Sequence, residues 1–314
     1  MKPDILVVCG PTASGKTALA VALARTLGGE VVGADSMQVY RRMDIGTAKP
    51  TADEMGGVPH HMIDVADPEE NFSVARYVDM AVPIVDDIIA RGKLPVVAGG
   101  TGLYIDHLVA GRQFAPFQED GALRAALQRR VEEEGLPALR GELERVDPEA
   151  AARIHPNDEK RILRALEVWL STGKTITRHN QESRAIPNRY TPLTITLDFR
   201  ERAALWARID RRVDEMMERG LEGEVRALLA EGVPPHCTAM QAIGYKELAA
   251  AIAEGRPMAE AVEEVKLRSR QYSKRQRTWF ARGREAHPLF WEDFPDFSAA
   301  LAFSTRLAAD SGLR

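Results

Sequence analysis

The octapeptide GPTASGKT at residues 10–17 follows an apolar run, ILVVC, and precedes a helix-forming stretch. That placement constrains the chain more than any other feature. Glycines at positions 10 and 15 let backbone N–H groups turn inward around an anion, and the helix that follows adds the positive end of its dipole. Lys16 supplies a point charge, and Thr17 offers a hydroxyl to a divalent cation, Mg²⁺. The whole loop, Gly10, Pro11, Thr12, Ala13, Ser14, Gly15, Lys16 and Thr17, reads as a P-loop for a diphosphate or triphosphate.

Strand-like and helix-like stretches alternate through the first third: ILVVC, a helix from Ser14 to about Leu27, EVVGAD, a helix from Ser73 to about Arg91, and LPVVAGG. Alternation of this kind predicts parallel strands joined by crossover helices. Residues 115–187 are helical and charged and contain no convincing strand. Sheet character returns at 193–199, followed by helices over 200–231, 241–254 and 258–283, a strand at 288–293 and a final amphipathic helix. The expected fold is α/β: a P-loop NTPase-like parallel sheet flanked by helices, formed by 1–114 and 188–314, with an all-helical insertion domain at 115–187.

The apolar run before the glycines has five residues, too short for a signal peptide or a membrane span, so a cytoplasmic protein without membrane contact is expected. Two cysteines, Cys9 and Cys237, provide neither a disulfide framework nor a zinc knuckle, and His60-His61 is expected in a loop or in a supporting role behind the site because adjacent residues rarely converge on one metal ion. Net charge is −4, yet Lys266 to Arg284 holds eight basic residues and no acid. Lys266, Arg270, Lys274 and Arg277 share one helical stripe, and Arg268, Tyr272, Arg275, Trp279 and Arg282 a second with interleaved aromatics, a pattern suited to phosphates and unstacked bases.

No acid sits where a phosphoryl-transfer enzyme places its Walker-B residue. EVVGAD instead ends in Asp35, and LPVVAGG runs into Thr101. Strand ends line the crevice of an open α/β sheet, so both residues are expected near the phosphates. On chain pattern alone, Asp35 as a turn cap and Thr101 as a helix cap are equally good readings.

The runs GPTASGKT, DSMQVYRRMDIGTAKP, VPHHMID and GGTGLYI closely resemble the bacterial tRNA dimethylallyltransferase (tRNA isopentenyltransferase) family. Likeness continues at Asp158–Glu167, at Met240–Glu247 and at Tyr272–Phe280, so it spans residues 5 to about 283. The resemblance implies transfer of the dimethylallyl group of dimethylallyl diphosphate to N6 of the adenosine 3′ of a tRNA anticodon, by a monomer using Mg²⁺. The P-loop then holds a leaving diphosphate, so ATP, the ligand a motif reading would name, is not its substrate. Asp35 resembles the base that takes the N6 proton, and Thr101 a threonine near the reacting groups. The resemblance also implies tRNA contacts at Asp35, Ser36, Met37, Gln38, Thr101, Arg124, Lys160, Arg161, Ile162, Leu163, Arg164, Gln241, Gly244, Tyr245, Lys246, Lys274, Arg275, Gln276, Arg277 and Trp279. The segment DHLVAGRQFAP departs slightly from the family pattern, and no CxxC or histidine-rich tail follows residue 283. A small-molecule P-loop kinase and an RNA-binding NTPase switch are the competing readings.

Overall fold

Ile5 to Cys9, all fully buried, form strand β1 inside the sheet. The computed structural model describes residues 4–111, 121–282 and 285–313. Along the chain follow α1 (Lys16–Leu27), β2 (Gly29–Gly33), α2 (Ala52–Met55), β3 (His60–His61), α3 (Val74–Ala90), β4 (Leu94–Gly99) and α4 (Gly102–Ala110). Then come α5 (Gly121–Glu134), α6 (Leu136–Val146), α7 (Pro148–Arg153), α8 (Glu159–Thr172) and α9 (Ile176–Ala185). The chain ends with β5 (Pro192–Asp198), α10 (Arg202–Glu218), α11 (Leu221–Ala230), α12 (Tyr245–Glu254), α13 (Met258–Phe280), β6 (His287–Phe290) and α14 (Phe297–Asp310).

The chain divides into two compact units, Met1–Gly111 with Arg189–Arg314, and Arg112–Asn188. The expected boundary at 114/115 lies outside the described residues. In the first unit six strands run in the order β3-β2-β4-β1-β5-β6, and every pairing is parallel. A parallel sheet is covered on both faces, which is why ILVVC shows no polar alternation. Because all strands point one way, the segments after β1, β2 and β4 emerge at the same edge. Those segments are the phosphate loop, Asp35 and Gly100-Thr101.

Several expected boundaries shift for local reasons. α1 begins at Lys16, not Ser14, because Ala13 (φ 61°) and Gly15 (φ 83°) are left-handed and belong to the loop. The last strand stops at Phe290, paired with Asp198; β5 ends there, so residues 291–293 have no strand partner and coil into a 3₁₀ turn. Gly244 (φ 100°) delays α12 to Tyr245. His60-His61 is a strand and not a loop: the two residues pair with Val31 and Val32, too short a stretch for periodicity to reveal. His61 Nε2 lies 2.8 Å from the Glu30 carboxylate.

The second unit is helical throughout its described residues. Leu127, Leu139, Leu143, Ile162, Leu163 and Leu166 form its core. Buried Asp147 ties two helices together, accepting from the backbone N–H of Ala150 and of Thr177, both at 3.0 Å.

Candidate active site

The phosphate loop needs its glycines for steric reasons that the structure makes specific. A Cβ on Gly10 would lie 2.3 Å from the Leu197 carbonyl oxygen of β5, and Gly10 has φ 146°. The loop main chain is also gripped from outside at three consecutive residues. Gln276 Oε1 accepts from Thr12 N–H (2.8 Å), Arg208 Nε donates to the Ala13 carbonyl (3.0 Å), and Trp291 Nε1 donates to the Ser14 carbonyl (2.7 Å). Gly10, Pro11 and Ser14 are buried, whereas Thr12, Lys16 and Thr17 face a cleft of about 310 Å³. Lys16 Nζ donates to the Pro11 carbonyl at 2.8 Å. Burial, reinforced by the positive charge of Arg212, pushes the Lys16 ammonium down to about 8.

Asp35, Ser36, Met37 and Gln38 line the same cleft. Asp35 Oδ1 accepts from the backbone of Met37 (2.9 Å), so this residue does cap its turn while its carboxyl remains part of the cleft wall. Gln38 spans to the facing loop by donating to the Thr47 and Ala48 carbonyls, both at 3.1 Å. Thr101 occupies the N-cap position of α4 without a side-chain cap bond. Its Oγ1 accepts from Ser36 N–H at 3.0 Å, so it braces the segment next to Asp35 and is not itself a lining residue of the cleft. Tyr272 lines the cleft beside Arg275 and Gln276. Burial, then the nearby Asp35 carboxylate, pushes its hydroxyl up to about 12.

Arg212 on α10 is a cleft residue that the sequence did not reveal. A second hollow of about 290 Å³ shares Lys16, Thr17, Arg212 and Met216 with the first and adds Arg208, Arg211 and Arg219. Burial pulls the Arg212 and Arg208 guanidiniums below their ordinary values. Their only sequence signal was the arginine density of residues 200–219, spread along one long helix.

Some candidate RNA contacts are placed elsewhere. Gln276 is buried and bonds Thr12 and Gly100 instead of facing outward. Tyr245 is fully buried; its hydroxyl donates to Glu224 and accepts from Gly46 N–H (3.2 Å), so it secures the 44–46 loop. Arg277 pairs with Asp198 at 2.8 Å. The basic stripe is also less free than the charge count implied, since α10 supplies acids: Asp214 to Lys266 (2.8 Å) and Asp210 to Arg270 (2.6 Å). Lys246, Lys274, Arg275 and Arg282 remain exposed, Gln241 lies at the cleft, and Gly244 forms the backbone break described above. Trp279 donates to Asp106 at 3.0 Å, and Arg284 lies outside the described residues.

In the second unit, Ile162 and Leu163 are core residues with no exposed side-chain surface, which corrects their place among the RNA contacts. Arg124 and Arg164 both reach the buried Glu167, at 3.3 and 3.4 Å. Lys160 and Arg161 are exposed, the latter paired with Asp158 at 3.0 Å.

Among the described residues no cluster of three or more metal-ligating His, Cys, Asp or Glu occurs, and no helix is long and apolar enough to cross a membrane. The family model described as IPP transferase matches residues 38–283. A tRNA dimethylallyltransferase of Desulfosudis oleivorans is 50% identical over 293 residues, covering 93% of this chain and 91% of its own length. One of Acetivibrio thermocellus is 44% identical over 296 residues, 94% and 93% of the two chains. Among solved structures, the full-length tRNA isopentenylpyrophosphate transferase of Bacillus halodurans matches with a TM-score of 0.74 and 41% identity, over 99% of this chain and 97% of that one. A eukaryotic dimethylallyltransferase acting on tRNA matches with a TM-score of 0.81 and 28% identity, over 99% of this chain and 80% of that one. With a cleft built on a P-loop, an aspartate at the next strand end and matches that run nearly the full length of its relatives, this chain belongs to the IPP transferase family.

Proposed function

We propose that this chain transfers the dimethylallyl group of dimethylallyl diphosphate to N6 of the adenosine 3′ of the anticodon in tRNA, releasing diphosphate. The observation that carries this reading is the presence of Lys16, Thr17, Arg212 and Asp35 in one cleft, which sets an anion-holding floor beside a carboxylate. The N6 lone pair forms a bond to the allylic carbon while the bond from that carbon to oxygen breaks, and the electron pair leaves with the diphosphate. Asp35 takes the N6 proton. Negative charge grows on the departing diphosphate, where Lys16 and Arg212 act as preorganised electrostatic partners.

Oxygen donors suit Mg²⁺, and the Thr17 hydroxyl in the first turn of α1 faces the cleft. With Thr17 and diphosphate oxygens as ligands, the ion would neutralise leaving-group charge. A target base in the anticodon arm must be turned out of its stack to reach such a cleft. Lys160, Arg161, Lys274 and Arg275, all exposed, are the cations proposed to hold the arm.

Incubation with Mg²⁺, labelled dimethylallyl diphosphate and unmodified tRNA, followed by nucleoside analysis, tests the reaction. Label on N6 of the adenosine beside the anticodon supports it. ATP turnover without label would instead favour a kinase or an NTPase switch.

A further inference from the structure

The geometry points to Gln276 as a positioning residue that sets the distance between the leaving-group half and the nucleophile half of the cleft. This inference rests on the proposed transfer reaction. Gln276 lies on α13, is buried, and uses both ends of its carboxamide. Oε1 accepts from Thr12 N–H in the phosphate loop at 2.8 Å, and Nε2 donates to the Gly100 carbonyl at 2.9 Å. Those bonds reach 264 and 176 residues along the chain.

Gly100 directly precedes Thr101, whose Oγ1 accepts from Ser36 N–H, and Ser36 directly follows Asp35. One side chain is therefore bonded to the loop that would hold diphosphate and to the turn that braces the proposed base. The contact is close: a Cβ on Gly100 would lie 2.3 Å from Gln276 Nε2. One turn earlier on the same helix Tyr272 faces the cleft, and the next residue back in sequence from Gln276 is the exposed Arg275. The residue thus joins a helix carrying exposed cations to the two segments that must face each other across the reacting atoms.

With both neighbours fixed, a carboxamide fits both bonds without needing a proton from solvent. A carboxylate can accept from Thr12 but cannot donate to Gly100 unless protonated, and a methionine of similar shape accepts only weakly and cannot donate. Misplacement of reacting groups by about 1 Å costs on the order of 10²-fold in rate. Gln276→Met and Gln276→Glu are therefore expected to lower kcat by about 10²-fold at neutral pH with KM for dimethylallyl diphosphate changed by less than about threefold. Protonation of the introduced carboxyl restores a donor toward Gly100, so the Gln276→Glu to wild-type rate ratio should rise as pH falls from about 7.5 to about 5.5. Taking that ratio cancels any pH dependence common to both enzymes, and a residue that merely stabilises the fold would leave it flat.

The test is steady-state transfer to tRNA, giving kcat and KM for wild type and both variants across that pH range, with thermal melting as a check on folding. A wild-type kcat in folded Gln276→Met, or a ratio for Gln276→Glu that does not change with pH, overturns the positioning role. Absence of transfer by the wild type overturns the underlying reaction instead, and is recognised before any variant is compared.

Discussion

The hydroxyl of Tyr245 donates to the carboxylate of Glu224, and that carboxylate also accepts from three consecutive backbone N–H groups, those of Asp44, Ile45 and Gly46. A turn carrying three convergent amides is thus closed by a carboxylate about 180 residues away in sequence. Gly46 and Thr47 line the cleft, so the clamp fixes one of its walls. Tyr245→Phe should cost about 2 kcal/mol, the worth of a hydrogen bond to a charged group, and Glu224→Ala should cost more because three amides lose their acceptor. Urea unfolding checks both, with a lower midpoint and an unchanged slope as the expected result.

Asp35→Asn keeps an oxygen able to accept from Met37 N–H, so the turn should survive while the base is lost. Turnover should fall by about 10² to 10⁴. Binding of tRNA and of diphosphate should stay within about threefold, measured by filter retention and calorimetry; an equal loss of binding would make Asp35 a structural residue.

Lys16 carries a pH signature. Its proton is held weakly, down to about 8, because burial and Arg212 oppose the charge. A bound diphosphate favours the charged form and raises that value. Diphosphate binding should therefore take up a proton near pH 8 and weaken as pH rises above it, and calorimetry in buffers of different ionisation enthalpy would report the uptake. Stability has its own sign. Between about 8 and 10.5 the unfolded chain holds more protons at this position than the folded one, so the contribution of Lys16 makes the free protein more stable as pH rises through that window.

Lys274 and Lys266 lie two turns apart on α13 yet should behave differently. Lys274 is exposed, whereas Lys266 is engaged by Asp214 and Glu263. Lys274→Ala should weaken tRNA binding and reduce the slope of log K against log salt by about 1. Lys266→Ala should leave that slope unchanged.

What the sequence revealed was whatever lay together in it. GPTASGKT is contiguous, and its strand and helix neighbours are set by local pattern, so the loop and the parallel sheet were legible. Asp35 was legible as a strand-end acid. Arg212, Trp291 and Glu224 were not, because each acts on a partner about 180 or more residues away in sequence, and no local period marks them. The basic helix was over-read for the same reason: Asp210 and Asp214, which neutralise two of its cations, sit on a different helix. Ile162 and Leu163 were misplaced because adjacency to Lys160 and Arg161 says nothing about which side of α8 faces the core.

The bond from Trp291 to the Ser14 carbonyl also bears on when the protein can begin to work. Synthesis proceeds from the N-terminus, and domains fold as their residues emerge. One of the phosphate loop's three outer supports is made 277 residues after the loop itself. A nascent chain halted before β6 would carry every lining residue of the cleft and still lack the indole that holds the loop's backbone, so the support of the anion site is complete only once Trp291 has been made.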